Sequence, residues 1–93
     1  MRIQTNILLV EDDVNLSAVL ADYLRSKDYN VEQAHNGAEA WDLLSIKHYD
    51  LVISDIMMPK MNGYELLKLM RQKNERLPII MLSAKTDRDD IIH

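Results

Sequence analysis

Hydrophobic positions along the chain follow two kinds of pattern. Ile7-Leu8-Leu9-Val10, Leu51-Val52-Ile53 and Ile79-Ile80-Met81-Leu82 are short, nearly continuous apolar runs, the pattern of strands covered on both faces. Val31-Glu32-Gln33-Ala34 is more polar and reads as a strand at a sheet edge. Between these runs the spacing becomes helical. Leu16, Val19, Leu20, Tyr23 and Leu24 recur at i, i+3, i+4, i+7 and i+8 within residues 14–27, which predicts an amphipathic helix with those side chains turned inward. Asp13 or Asn15 would cap it. Asn36-Gly37 is a turn signal, and a second helix is expected over 38–47, burying Ala40, Trp41, Leu43, Leu44 and Ile46. A third is expected over 64–73 after Pro59 and Asn62-Gly63, burying Leu66, Leu67 and Met70. Residues 86–93 read as the first turns of a fourth, with Asp87 as its cap. Strands alternating with helices imply an α/β fold: a parallel sheet, right-handed crossovers and helices on both faces.

Two of the strands end in acids. The run at Asn6–Val10 leads into Glu11-Asp12-Asp13, and the run at Leu51–Ile53 leads through Ser54 to Asp55. An unpaired carboxylate is costly to bury, so a stability argument gives Asp55 little reason to stand there. Sites in open parallel sheets lie at the carboxyl ends of strands. Carboxylates crowded into one pocket repel, and a hard divalent cation relieves that repulsion. Mg²⁺ is the expected ion, since it accepts a few carboxylates and keeps waters that a phosphate can replace. Taken singly, each acid has a plainer use, as a helix cap or a hydrogen-bond acceptor at a strand end.

Composition narrows the class further. Ninety-three residues make one domain at most, and 47% hydrophobic with 28% charged residues argue against a disordered chain. A net charge of -4 offers no basic footprint for nucleic acid. Cysteine is absent, so disulfides and thiolate metal sites are excluded. No apolar run approaches the roughly 20 residues that span a bilayer, and Met1-Arg2 leads straight into a strand. The expectation is a soluble cytoplasmic protein. His35, His48 and His93 are scattered, and the basic residues from Lys68 to Arg76 read as a solvated helix end.

Taken together, Ile7-Leu8-Leu9-Val10-Glu11-Asp12-Asp13, Asn36-Gly37, Asp55-Ile56-Met57-Met58-Pro59, Met61-Asn62-Gly63 and Ser83-Ala84 resemble the receiver domain of two-component response regulators. They span the chain in the family's order and spacing. The resemblance implies a flavodoxin-like (CheY-like), doubly wound sheet with strand order 2-1-3-4. It implies that Asp55 is a phosphoacceptor charged by a histidine kinase. It implies that Asp12 and Asp55 bind Mg²⁺ directly, that Glu11 acts through water, and that the backbone carbonyl of Met57 completes the protein ligands. Ser83 would hydrogen-bond the phosphoryl group beside the small Ala84, and Asp13 would cap a helix. Partners so implied are a sensor histidine kinase docking on the first helix and an output domain after His93, with transcription regulation as its use. A homodimer is left open. Direct nucleic-acid binding by these residues and membrane association are not expected.

The family continues through a fifth strand, ending in a lysine that pairs with the phosphoryl group, and a fifth helix. Neither is found within residues 1–93, so the domain is expected to be C-terminally incomplete, with Ile79–Leu82 as an apolar edge. Lys60 and Lys85 do not occupy the missing lysine's position. Two other functions compete. A Mg²⁺-dependent phosphohydrolase of the haloacid dehalogenase type would want a second acid two residues after the nucleophile, where this chain has Met57. A phosphorylation-incompetent interaction fragment would need no chemistry at all.

Overall fold

The computed structural model describes residues 4–55, 63–73 and 76–82. Its elements run β1 (Asn6–Val10), α1 (Val14–Ser26), β2 (Asn30–Ala34), α2 (Gly37–Ile46), β3 (Leu51–Asp55), α3 (Gly63–Lys73) and β4 (Ile79–Leu82). The expected helix over 86–93 lies outside the described residues. The strands form one parallel sheet in the order β2-β1-β3-β4, as expected. Register pairs Leu9 with Gln33 and Ile53, and Val10 with Ala34 and Ser54, so β1 and β3 end side by side.

Two apolar layers hold the sheet. On one face Leu8, Val10, Ala34 and Val52 pack with Ala40 and Leu44 of α2 and Leu66 and Met70 of α3. On the other, Ile7, Leu9 and Val31 pack with Ala21 of α1. Strand alternation produces both sets from the same strands: even-numbered residues of β1 face one way and odd-numbered the other. β1 is covered on both faces, with Leu8, Leu9 and Val10 at 0% exposure. β3 departs from the expectation of full cover, since Leu51 and Ile53, on the α1 side, are only half-buried.

The largest departure is the face that α1 buries. Ser17 and Ala21 are buried, with Leu20 and Leu24 partly so, while Val19 and Tyr23 stand 64% and 60% exposed. The buried stripe is turned by about a quarter turn from the one the apolar spacing indicates. Small side chains at Ser17 and Ala21 let the helix axis approach the sheet, and a wide apolar stripe leaves more than one rotation available. Asp13 is the N-cap, its Oδ1 accepting from the N–H groups of Asn15 (3.0 Å) and Leu16 (3.1 Å). At the other end Asp28 takes φ 71°, and the Asp28 and Tyr29 N–H groups close back on the Arg25 and Leu24 carbonyls.

α2 starts one residue earlier than expected because Asn36 is its N-cap, accepting from the Glu39 N–H at 2.8 Å, with Gly37 as the first helical residue. Ala40 and Leu44 are buried as expected, whereas Ile46 is 75% exposed at the last turn. α3 buries Leu66 and Met70. Its basic end is not simply solvated. Arg71 donates to the Leu77 carbonyl (2.7 Å), and Lys73 donates to the Leu44 carbonyl of α2 (2.9 Å) while lying 5.6 Å from the Trp41 ring centroid. These bonds tie the carboxyl ends of α2 and α3 together and lead the chain into β4, whose Ile80 is 49% exposed.

Candidate functional site

β1 and β3 are neighbours with ends in register, so whatever follows Val10 meets whatever follows Ser54. Glu11, Asp12 and Asp55 follow them. One carboxylate oxygen from each of the three lies within 4.8 Å of the others. Glu11 and Asp55 are fully buried and Asp12 is half-buried. The cluster therefore sits at the carboxyl ends of the two central strands, where parallel sheets place their sites. Asp12 and Asp55 are both members of this group, so an ion could lie between their carboxylates.

The turn carrying the first two acids is fixed by its own backbone. Glu11 N–H donates to the Ala34 carbonyl (3.0 Å), and Glu11 Oε2 accepts from the Asp13 N–H (2.9 Å). Asp13 is the N-cap of α1, as expected, and is not one of the three clustered acids. Met57 and Ser83 lie outside the described residues, as do Lys60 and Lys85. The donor set suits a hard cation: oxygen only, anionic, and gathered within the span of one coordination sphere. Soft or borderline metals that prefer thiolate or imidazole find neither type in this cluster.

A second polar group lies at the opposite end of the sheet. Lys47 Nζ donates to both oxygens of Glu32 (3.0 and 2.8 Å), and the Tyr49 hydroxyl donates to Glu32 Oε1 (2.9 Å). The Lys47 hydrogen bond holds the Glu32 carboxyl below the usual carboxylate range. Burial first, and Glu32 second, push the Tyr49 hydroxyl above the usual phenol range. A hollow of about 590 Å³ opens beside this group, lined by Asn6, Arg25, Asn30 and Tyr49 among others, away from the acidic cluster. Sequence reasoning missed the Glu32–Lys47–Tyr49 group because Glu32 lies 15 and 17 positions from its two partners and the three carry no motif.

Comparison with known proteins accords with this geometry. Residues 7–93 match the family described as the response regulator receiver domain. The chain is 42% identical over 86 residues to the transcriptional regulatory protein RprY of Bacteroides fragilis, covering 92% of this chain and 36% of that protein. It is 40% identical over 86 residues to the response regulator ArlR of Staphylococcus aureus, covering 92% of this chain and 39% of that one. The chain thus spans little more than a third of the length of these curated relatives. Among solved structures it superimposes on the chemotaxis response regulator CheY4 of Vibrio cholerae with a TM-score of 0.85 at 30% identity, covering 95% of this chain and 75% of that one.

Proposed function

This chain belongs to the response regulator receiver domain family, and from that premise we propose that it is a phosphoacceptor switch charged on Asp55. The observation that carries the reading is the meeting of Glu11, Asp12 and Asp55 within 4.8 Å, with Asp55 fully buried at the end of a central strand. Asp12 and Asp55 would hold Mg²⁺ directly, Glu11 through water, and the carbonyl of Met57 would complete the set. When bound, the ion would neutralise charge between the carboxylates and the incoming phosphoryl oxygens. Asp55 supplies the nucleophilic oxygen: the phosphohistidine P–N bond of the donor breaks and a P–O bond to the Asp55 carboxylate forms. Burial of that carboxylate at a strand end holds the attacking oxygen in one place.

The product would carry up to two negative charges where one stood. Ser83 follows β4 directly and would donate to a phosphoryl oxygen, drawing its loop inward and coupling the charge to a change of shape. Catalysis by the domain would be confined to its own phosphorylation and slow hydrolysis. A sensor histidine kinase would dock on α1, whose Val14, Val19 and Tyr23 stand 64%, 64% and 60% exposed. The relatives' names and greater lengths support an output domain acting on transcription in the whole protein. No helix among the described residues is long and apolar enough to cross a membrane.

Acetyl phosphate with Mg²⁺ tests the assignment. One phosphoryl group should appear on Asp55 by mass spectrometry, EDTA should prevent it, and Asp55→Asn should abolish it. Label that persists in Asp55→Asn would overturn the reading. Multiple turnover of a small phosphate ester would instead favour the hydrolase reading.

A further inference from the structure

Glu11 is held from two directions by the end of β2. Its N–H donates directly to the Ala34 carbonyl (3.0 Å). Its carboxylate is held less directly: Oε2 accepts from the Asp13 N–H (2.9 Å), and the Asp13 carbonyl accepts the Ser17 N–H (2.8 Å). The Ser17 hydroxyl then accepts the side-chain amide of Gln33 at 2.8 Å. Gln33 and Ala34 are adjacent on β2, so the bonds close a ring from Ala34 through Glu11, Asp13 and Ser17 back to Gln33. Ser17 is fully buried on the face of α1 that packs against the sheet. A polar group there costs stability unless it is bonded, and Gln33 supplies its partner.

From this ring we infer that Gln33 and Ser17 are positioning residues for the acidic cluster. They set the distance between the β1–α1 turn, which carries Glu11 and Asp12, and the end of β3, which carries Asp55. The inference rests on the divalent-cation reading of the site. Mg²⁺ demands near-ideal octahedral geometry at roughly 2.0–2.1 Å, so a small displacement of the turn is felt as lost affinity. The Asp13 cap on Asn15 and Leu16 fixes the turn to its own helix. The Gln33–Ser17 bond fixes that helix start to the sheet. Outer residues that orient metal ligands typically cost about 10- to 100-fold in affinity when removed. This pair acts one step further out, and about 3- to 10-fold is expected.

The test measures Mg²⁺ affinity of the full chain by isothermal titration calorimetry, with the apo melting temperature of each variant beside it. Ser17→Ala and Gln33→Met should each weaken Mg²⁺ binding by about 3- to 10-fold, and the double variant should bind no more weakly than the weaker single, because both break one bond. A purely structural pair would lower the apo melting temperature and leave the Mg²⁺ dissociation constant where it was. That outcome overturns the inference, as do losses that multiply in the double variant. The wild type and Asp55→Asn serve as controls for the underlying reading. If the wild type binds no Mg²⁺, or Asp55→Asn binds it equally well, the cation reading falls and the inference falls with it.

Discussion

Toward the amino ends of the strands, acids fasten one element to another. Glu32 takes both a cation and a phenol, from Lys47 and Tyr49. Asp50 accepts the Asn6 N–H through its side chain at 2.7 Å and returns its own N–H to the Asn6 carbonyl. At the carboxyl ends, Glu11, Asp12 and Asp55 are steered onto one another within 4.8 Å. The same sheet thus uses carboxylates as fasteners at one end and concentrates them at the other. Like charges drawn together raise the energy of the folded state, and an external cation lowers it again. The fastening acids serve the scaffold; the concentrated ones are those the proposed function calls on.

The contrast is broken or sharpened most strongly by neutralising one acid at the concentrated end. Without divalent ions, Asp55→Asn should melt at a higher temperature than the wild type, because one member of a repelling trio is gone. Saturating Mg²⁺ should reverse that order. At 100 times its dissociation constant a ligand stabilises by about 2.7 kcal/mol, which for a domain of this size is about 10 °C or more. Asp55→Asn should gain little of this. Thermal melts with EDTA and with Mg²⁺ read both effects. A wild type whose melting temperature ignores Mg²⁺ would remove the distinction between the two ends.

Neutralising an acid at the fastening end should have the opposite sign and a smaller size. Glu32→Gln keeps the shape and loses the charge that Lys47 meets. The pair is about half exposed, at 49% for Lys47 and 42% for Glu32, so screening limits its worth to about 0.2–1 kcal/mol. The melting temperature should fall by a few degrees, with or without Mg²⁺. Equal losses from Glu32→Gln and Asp55→Asn in EDTA would mean that both ends use their acids alike.

The concentrated end was far more legible in the sequence than the fastening end. Strand-end acids were readable because the apolar runs Ile7–Val10 and Leu51–Ile53 locate the two strands and the acids follow within two residues, although β3 itself runs on through Ser54 to Asp55. Placing the two ends side by side needed the strand order, which the family resemblance implied; the alternating pattern gave only a parallel sheet. The rotation of α1 was not readable. Val19 and Tyr23 match the helical spacing as well as Leu20 and Leu24 do, and the choice between them is made by how closely Ser17 and Ala21 allow the helix to approach. The Glu32–Lys47–Tyr49 group and the Gln33–Ser17 bond join separate elements without a local pattern. The same holds for Arg71 and Lys73, which read as solvated charges and in fact reach the Leu77 and Leu44 carbonyls.

The smallest effect lies in the pH dependence of the fastening end. Glu32 is held below the usual carboxylate range by Lys47. Its contribution is therefore fully present above the ordinary glutamate value of about 4.3 and lost as pH falls through the depressed value in the folded protein. The difference in melting temperature between the wild type and Glu32→Gln should stay constant across neutral pH and shrink in acid. Tyr49 has the opposite sign, because burial and Glu32 hold its proton on. Its contribution is present below about pH 10, where the unfolded chain begins to ionise, and is lost as pH rises above that. Tyr49→Phe removes the titration, so the wild type should lose stability relative to this variant only in alkali. Parallel melting curves of the wild type, Glu32→Gln and Tyr49→Phe across the whole range would show that the Glu32 contacts do not fasten this end of the sheet.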